Sequence, residues 1–529
     1  MRHSRRRGAQ TGRLLVKDWT QPVQLCMGGV RPPDAQSFRL GSPAMTTATL
    51  LPPPCRDPGV RKSSKKGPRV ADTAAGPVDL VILGGGSGGY AAALRAAELG
   101  LRVVLIEKDK LGGTCLHRGC IPTKALLHAA EVADTVADSA AFGVHATLGG
   151  IDPAGVARYR DSVVDGLYKG LTGLVHSRGI EVVAGAGQVV SPTAVAVGDR
   201  LIEGRHVLLA TGSAPRTLPG LDIDHRTVID SDDALALGRV PASVVVLGGG
   251  AIGCEFASVW RSFGAEVTIV EALPHLVPAE DEASSKLLER AFGRRGISLR
   301  LGVPFADAKT TDRGVTVVLE DGATIDAELL LVAVGRGPVS AGLGLERIGV
   351  TTDRGHVVVD PQLRTNLPTV SALGDLRPGL QLAHVAFAEG ILVAERLAGL
   401  DPVPVDYVNV PRVTYSHPEV ASVGLTVAAA RKRFGEVDTA TYHLAGNGKA
   451  RILRSSGAVT VVSAQDGPVL GVHMVGDRVG ELIAEAQLIT NWEAYPTDVA
   501  QLIHPHPTLS EALGEAHLAL AGKPLHVHS

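Results

Sequence analysis

Residues Gly112 to Lys124 read GGTCLHRGCIPTK, with Cys115 and Cys120 five apart in a chain that has only five cysteines in 529 residues. Such a pair can be a structural staple, half of a metal site or a redox couple. A zinc site needs about four ligands, usually in paired groups. The sequence has no second cysteine pair, and His117, between the two sulfurs, has no evident ligand partner. A staple closing so short a loop would stabilise little. A redox couple needs a lowered thiol pKa and sulfurs that can meet. In a regular helix, residues five apart sit about 8 to 9 Å apart at Cα, beyond the roughly 7 Å that a disulfide can span. The stretch must therefore be irregular, which Gly119 permits. Pro122 suits the first turn of a helix starting just after Cys120, and a thiolate at a helix N-terminus is stabilised. Arg118, Lys124 and His128 add positive charge, and no acid intervenes before Glu131. These features favour a working redox pair, and no metal site is expected.

A second reactive constellation lies near the C-terminus, in His504-Pro-His-Pro-Thr-Leu-Ser-Glu511. His506 and Glu511 offer a base and an orienting carboxylate. Alone, the stretch reads more simply as two loop histidines beside prolines. The redox cysteines reverse that preference, because thiol–disulfide exchange must first take a proton from an incoming dithiol.

Groups of this kind need a frame. Val78 to Leu83 is a β-branched run that ends in GGGSGG and leads into the Ala-rich YAAALRAAELG and a second run, Leu101 to Glu107. That is strand, glycine turn, helix and strand, with Gly100 as a helix stop and an acid at the tip. Gly84, Gly86 and Gly89 form G-x-G-x-x-G, which allows a tight turn, close approach to a pyrophosphate and close helix–strand packing. Glu107 stands where an acid would hydrogen-bond a ribose hydroxyl. The pattern recurs with Ser243 to Leu247, then Gly248, Gly250 and Gly253, a helix, and Glu266 to Glu271. In both units the acid lies eighteen residues past the last glycine. Two such units argue for two dinucleotides, most economically a flavin and a nicotinamide that exchange electrons. Glu271 offers a carboxylate to a 2′-hydroxyl, and Ala272, Leu273 and Pro274 offer no Arg to a 2′-phosphate, so NAD is favoured over NADP.

Bulk properties fit a globular protein: 45% apolar, 20% charged and a net charge of −2, which gives no general reason to expect nucleic acid. No apolar run reaches the roughly 18 to 20 residues of a membrane span. Five cysteines cannot form a disulfide framework for a chain this long, so a reducing cytosol is expected. Residues 1–75 are basic, Pro-rich and aperiodic. They read as a disordered extension, with an organelle transit peptide as the alternative; Cys26 and Cys55 within them are expected to be inert.

The cysteine stretch between a flavin-type and a nicotinamide-type fingerprint resembles the pyridine nucleotide–disulfide oxidoreductases, from about Val78 to Leu520. The resemblance implies two Rossmann-type domains plus a C-terminal α+β dimerisation domain. Their expected spans are 76–224 and 357–403 for FAD, 225–356 for NAD and 404–529 for the interface. Gly113 and Thr114 would join the FAD site. Leu209-Ala210-Thr211-Gly212 and Val334-Gly335-Arg336 look like domain-closing turns, and Leu373-Gly374-Asp375 like a second FAD contact. Lys124 would pair with Glu255 near the flavin, and His506 with Glu511 would serve the sulfurs of the opposite subunit, with His504 as support. The implied activity is oxidation of dihydrolipoyl groups, borne on an acyltransferase or lipoyl carrier protein, by a homodimer using FAD and NAD. Reduction of another small disulfide or of quinones is the alternative. Many relatives carry Asn-Val where this chain has His117-Arg118, a departure that adds positive charge between the sulfurs.

Overall fold

The computed structural model describes residues 76–526; the extension expected over 1–75 lies outside them. The first β-branched run forms the strand Val78–Leu83, which pairs in parallel with Val103–Glu107 and with Arg200–Leu209. Glu181–Ala184 and Val370–Ala372 add a parallel strand at either side. These strands read as continuous apolar runs because parallel strands are covered on both faces. Leu80, Val81 and Ile82 are fully buried. Helix α1 (Ser87–Glu98) makes the first crossover, burying Gly88, Gly89, Ala92, Ala93 and Ala96. Beyond Glu107 come α2 (Gly113–Arg118), α3 (Cys120–Asp138) and the long α4 (Pro153–Ser177).

The second unit repeats the plan. Its five-stranded parallel sheet runs in the order Ser298–Leu301, Glu266–Glu271, Ser243–Leu247, Leu329–Val332, Val228–Ile229. Helix α5 (Ser231–Ala236) leads into it, α6 (Ala251–Ser262) is the crossover and α7 (Glu282–Arg294) follows the second strand. Each unit also carries three consecutive antiparallel strands after its third strand.

Two passages of chain join the units. Ser213–Pro215 leads out and Arg336–Pro338 leads back, paired antiparallel. Thr211 Oγ1 donates to Val339 O at 2.7 Å, and Val339 N to Gly212 O at 2.9 Å. The C-terminal unit is a five-stranded antiparallel sheet, from Arg412–Thr414 to Val437–His443, covered by the helices Val479–Asn491 and Glu511–Leu520. The architecture is α/β, two doubly wound units followed by an α+β unit. No helix among the described residues is long and apolar enough to cross a membrane.

Buried polar contacts fasten α3, α6 and the C-terminal unit together. Lys124 Nζ donates to both oxygens of Glu255, at 2.9 and 2.8 Å, and Tyr415 N donates to the same carboxylate at 3.0 Å. Arg295 donates to Asp134, Ser262 and the carbonyl of His417.

Candidate active site

The sulfurs sit at a break between two helices. Cys115 lies in α2, Gly119 interrupts the helical path, and Cys120 is the first residue of the 19-residue α3. A side chain at position 119 would press its β-carbon to 3.0 Å from the carbonyl oxygen of Thr114. The break sets the two free thiols near enough that each alters the other's acidity. Their acidities part: the neighbouring Cys115 thiol lowers Cys120 to about 7, burial opposes this, and Lys124 adds a further lowering. Cys115 is raised by the neighbouring Cys120 and by burial. One sulfur is thus prepared as a thiolate and the other as a thiol.

Of the three cations the sequence puts nearby, Lys124 is the one that acts on both sulfurs. Arg118 instead turns to Asp109 at 3.2 Å and Asp232 at 3.6 Å, while His128 pairs with Glu131. His117 bonds Leu111 O at 2.8 Å and meets the Tyr168 ring edge-on. Two α1 residues escaped the sequence reading. Ser87 lowers the Cys115 thiol, against the raising by Cys120 and by burial. Tyr90 faces both sulfurs, its phenol pushed up to about 12 by burial and then by their charge. Ser87 lies within the first glycine fingerprint and Tyr90 immediately after it, and that placement was the available signal.

His506 Nδ1 lies 2.8 Å from Glu511 Oε1, and Thr508 N donates to the other oxygen at 2.8 Å. Burial pushes the Glu511 carboxyl up, but the Thr508 N–H and His506 outweigh it and hold it below its ordinary value. The His506 side chain is 76% exposed, while His504 is drawn in by Glu485 at 2.7 Å. Within one chain the dyad and the sulfurs do not come together. The side chains acting most strongly on the sulfurs are Ser87, Lys124, Glu255 and each other.

The fingerprints have the shape of dinucleotide cradles. A β-carbon at Gly84 would strike the carbonyl of Ala210, and one at Gly89 the carbonyl of Gly84; Gly248 and Gly253 are closed in the same way by Ala333 and Gly248. Gly250 has nothing within 4 Å, and Gly86 meets only Gly113 Cα at 3.9 Å. The outer glycines are tight against backbone while the middle one faces open space, which suits a pyrophosphate lying over it. Glu107 accepts from Gly85 N at 2.7 Å, and Glu271 from Gly249 N at 2.7 Å, so both acids are held at the cradle edge. Gly113 opens α2 against Gly86, beside Thr114. Gly374 N donates to Glu389, and Asp375 accepts from Ser213 Oγ at 2.5 Å, its carboxyl raised by burial. Arg336, next to Gly335, donates to that same Ser213 hydroxyl at 2.8 Å. Cys254 is fully buried, its thiol directed at Gly249 O.

A disulfide-forming pair, two dinucleotide cradles and a distant histidine dyad are the parts of a flavoprotein disulfide reductase. Residues 78–390 match the pyridine nucleotide-disulphide oxidoreductase model and residues 410–517 match the dimerisation domain of the same group. The chain belongs to the pyridine nucleotide-disulphide oxidoreductase family. It is 42% identical to the dihydrolipoyl dehydrogenase of Bacillus subtilis over 469 residues, covering 85% of this chain and 99% of that one. The mitochondrial dihydrolipoyl dehydrogenase of Pisum sativum is 38% identical over 464 residues, covering 85% and 92%. Among solved structures, LpdA from Mycobacterium tuberculosis superimposes with a TM-score of 0.78 at 28% identity, covering 84% of this chain and 99% of that one.

Proposed function

We propose that the chain is a dihydrolipoyl dehydrogenase, with FAD and NAD as its cofactors. The observation that carries this reading is the thiol pair itself: two cysteines on either side of a helix break, with Cys120 lowered by its partner and by Lys124, in a chain alike over almost the full length of a dihydrolipoyl dehydrogenase.

In the oxidised resting form Cys115 and Cys120 share a disulfide. His506 of a second copy takes the proton from one thiol of a dihydrolipoyl group, with Glu511 fixing the imidazole and stabilising its charge. The thiolate attacks Cys115 Sγ, the bond to Cys120 breaks, and Cys120 leaves as a thiolate beside Lys124. The second lipoyl thiol loses its proton and attacks the first lipoyl sulfur, closing the lipoyl disulfide and releasing Cys115, which regains a proton from His506. Two electrons and one proton have entered the sulfur pair, and one proton leaves. FAD supplies the route by which those electrons reach NAD⁺, giving NADH. Gly84, Gly86, Gly89, Glu107, Gly113, Thr114, Thr211, Gly212, Gly374 and Asp375 would hold the flavin. Gly248, Gly250, Gly253, Glu271 and Gly335 would hold the nicotinamide nucleotide, and Lys124, paired with Glu255 of the second fingerprint's helix, would lie near the flavin.

The active unit in this reading is a homodimer in the cytoplasm that serves a lipoyl-bearing acyltransferase or lipoyl carrier protein. The spans 76–224 with 357–403, 225–356 and 404–529 belong to the same reading. Purified protein given NAD⁺ and dihydrolipoamide is expected to form NADH, and given NADPH and glutathione disulfide to do little. A colourless protein, or one that dihydrolipoamide does not reduce, overturns the proposal.

A further inference from the structure

Arg118 departs from the residue many relatives carry, and the sulfurs do not explain it. Its guanidinium leaves them and reaches Asp109 Oδ2 at 3.2 Å and Asp232 Oδ2 at 3.6 Å. Asp109 follows the first cradle's acid; Asp232 belongs to α5, the helix through which the chain enters the second unit. That helix is fixed at its start by Asp230, whose side chain accepts from Asp232 N and Asp233 N. The other oxygen of Asp232, Oδ1, is buried and has no hydrogen-bond partner among the described residues. Arg336 Nε donates to Ser213 Oγ at 2.8 Å and its Nη2 to Ser213 O at 2.8 Å, and Ser213 Oγ donates to Asp375 at 2.5 Å. The Arg118–Asp232 pair therefore ties the end of α2 to α5, while Arg336, Ser213 and Asp375 make a separate polar run across the paired connecting strands.

We propose that Arg118 and Asp232 form a latch between the end of α2, beside the redox cysteines, and the second dinucleotide unit, and that this latch positions the nicotinamide half-site relative to the sulfur pair. The proposal rests on the two-dinucleotide reading above. Arg118 and Asp232 are positioning residues and touch no reacting atom. Both are partly exposed, 45% and 33%, so the effect is that of a solvent-screened charge pair backed by one buried oxygen.

The test uses the flavin-loaded dimer carrying Arg118→Val, Asp232→Ser or both. Titration calorimetry with NAD⁺ gives affinity without turnover, and hydrogen–deuterium exchange reads residues 113–118 and 231–236. Each single variant is expected to weaken NAD⁺ binding about two- to fivefold and to lose protection in both segments. The double variant is expected to lose no more than either single one, and Arg118→Lys to retain part of the affinity. Single-turnover reduction by dihydrolipoamide should be unchanged in Asp232→Ser. Additive losses, or unaltered affinity and exchange, overturn the latch. The binding and exchange measurements involve no dithiol, so failure of dihydrolipoamide to reduce the wild-type protein would count against the proposed activity alone.

Discussion

The two glycine-rich units agree down to single hydrogen bonds. Gly84 N donates to Ile106 O and Gly248 N to Val270 O; Ala210 N donates to Leu83 O and Ala333 N to Leu247 O. Each acid takes the amide of the second glycine on one oxygen, and on the other the amide two residues beyond itself, Asp109 N or Leu273 N. They part immediately afterwards. In the first unit Gly112 N bonds Gly85 O and leads into a helix broken by Gly119 with a sulfur on each side of the break. In the second, Val277 N bonds Gly249 O and leads into α7, an unbroken helix whose N-terminus Asp281 caps. The same cradle thus serves twice, and chemistry was added to one copy by an interruption in the helix that follows it. Regularity holds a nucleotide; irregularity lets two sulfurs meet.

The sharpest way to break this contrast is to exchange a sulfur in each unit. Cys115→Ser is expected to reduce dihydrolipoamide oxidation to background, whereas Cys254→Ser, at a fully buried position of the second-unit helix, should leave turnover nearly intact and lower stability by about 1 kcal/mol. Steady-state rates and thermal unfolding read both. Next in size is the base. His506→Ala is expected to slow the dithiol half-reaction by about two to four orders of magnitude. Mixed dimers of Cys115→Ser and His506→Ala chains should regain activity, since one of their two sites is whole; no recovery would place the base in its own chain.

The sulfur polarity gives a pH test. Cys120 is lowered to about 7, so its thiolate persists above that pH and is lost as pH falls through it. Alkylation of the reduced protein at Cys120 should slow by about tenfold per pH unit below the midpoint. Lys124→Met should move the midpoint upward. The smallest effect sharpens the likeness between the units. Glu107→Gln should speed loss of FAD on dialysis, and Glu271→Gln should raise the KM for NAD⁺ about three- to tenfold, each leaving the other nucleotide's binding unchanged.

The strands, the fingerprints and the break at Gly119 were legible because each is written in consecutive residues: β-branched runs, fixed glycine spacing, a proline just past a cysteine. The Lys124–Glu255 pair was legible only through family resemblance, since its partners are 131 residues apart. Ser87 and Tyr90 were missed because their facing toward the sulfurs depends on how α2 folds back over the first cradle. The expected cluster of cations failed for the same reason. Nearness in sequence put Arg118 and His128 beside the cysteines, but Asp232, from a distant segment, drew Arg118 away, and His128 pairs with Glu131 one turn along its own helix. Residues 1–75 lie outside what the structure describes.

Glu255 is 4% exposed and is held at once by α3, through Lys124, and by the backbone of Tyr415. Pull away Lys124 and a buried carboxylate loses its counter-charge, at a cost of about 3 to 5 kcal/mol; pull away Tyr415 and it loses its backbone donor. That makes this carboxylate a keystone: the lobes it touches should melt in a single cooperative transition, and a fragment cut off before Tyr415 should fail to fold into two freestanding nucleotide binders.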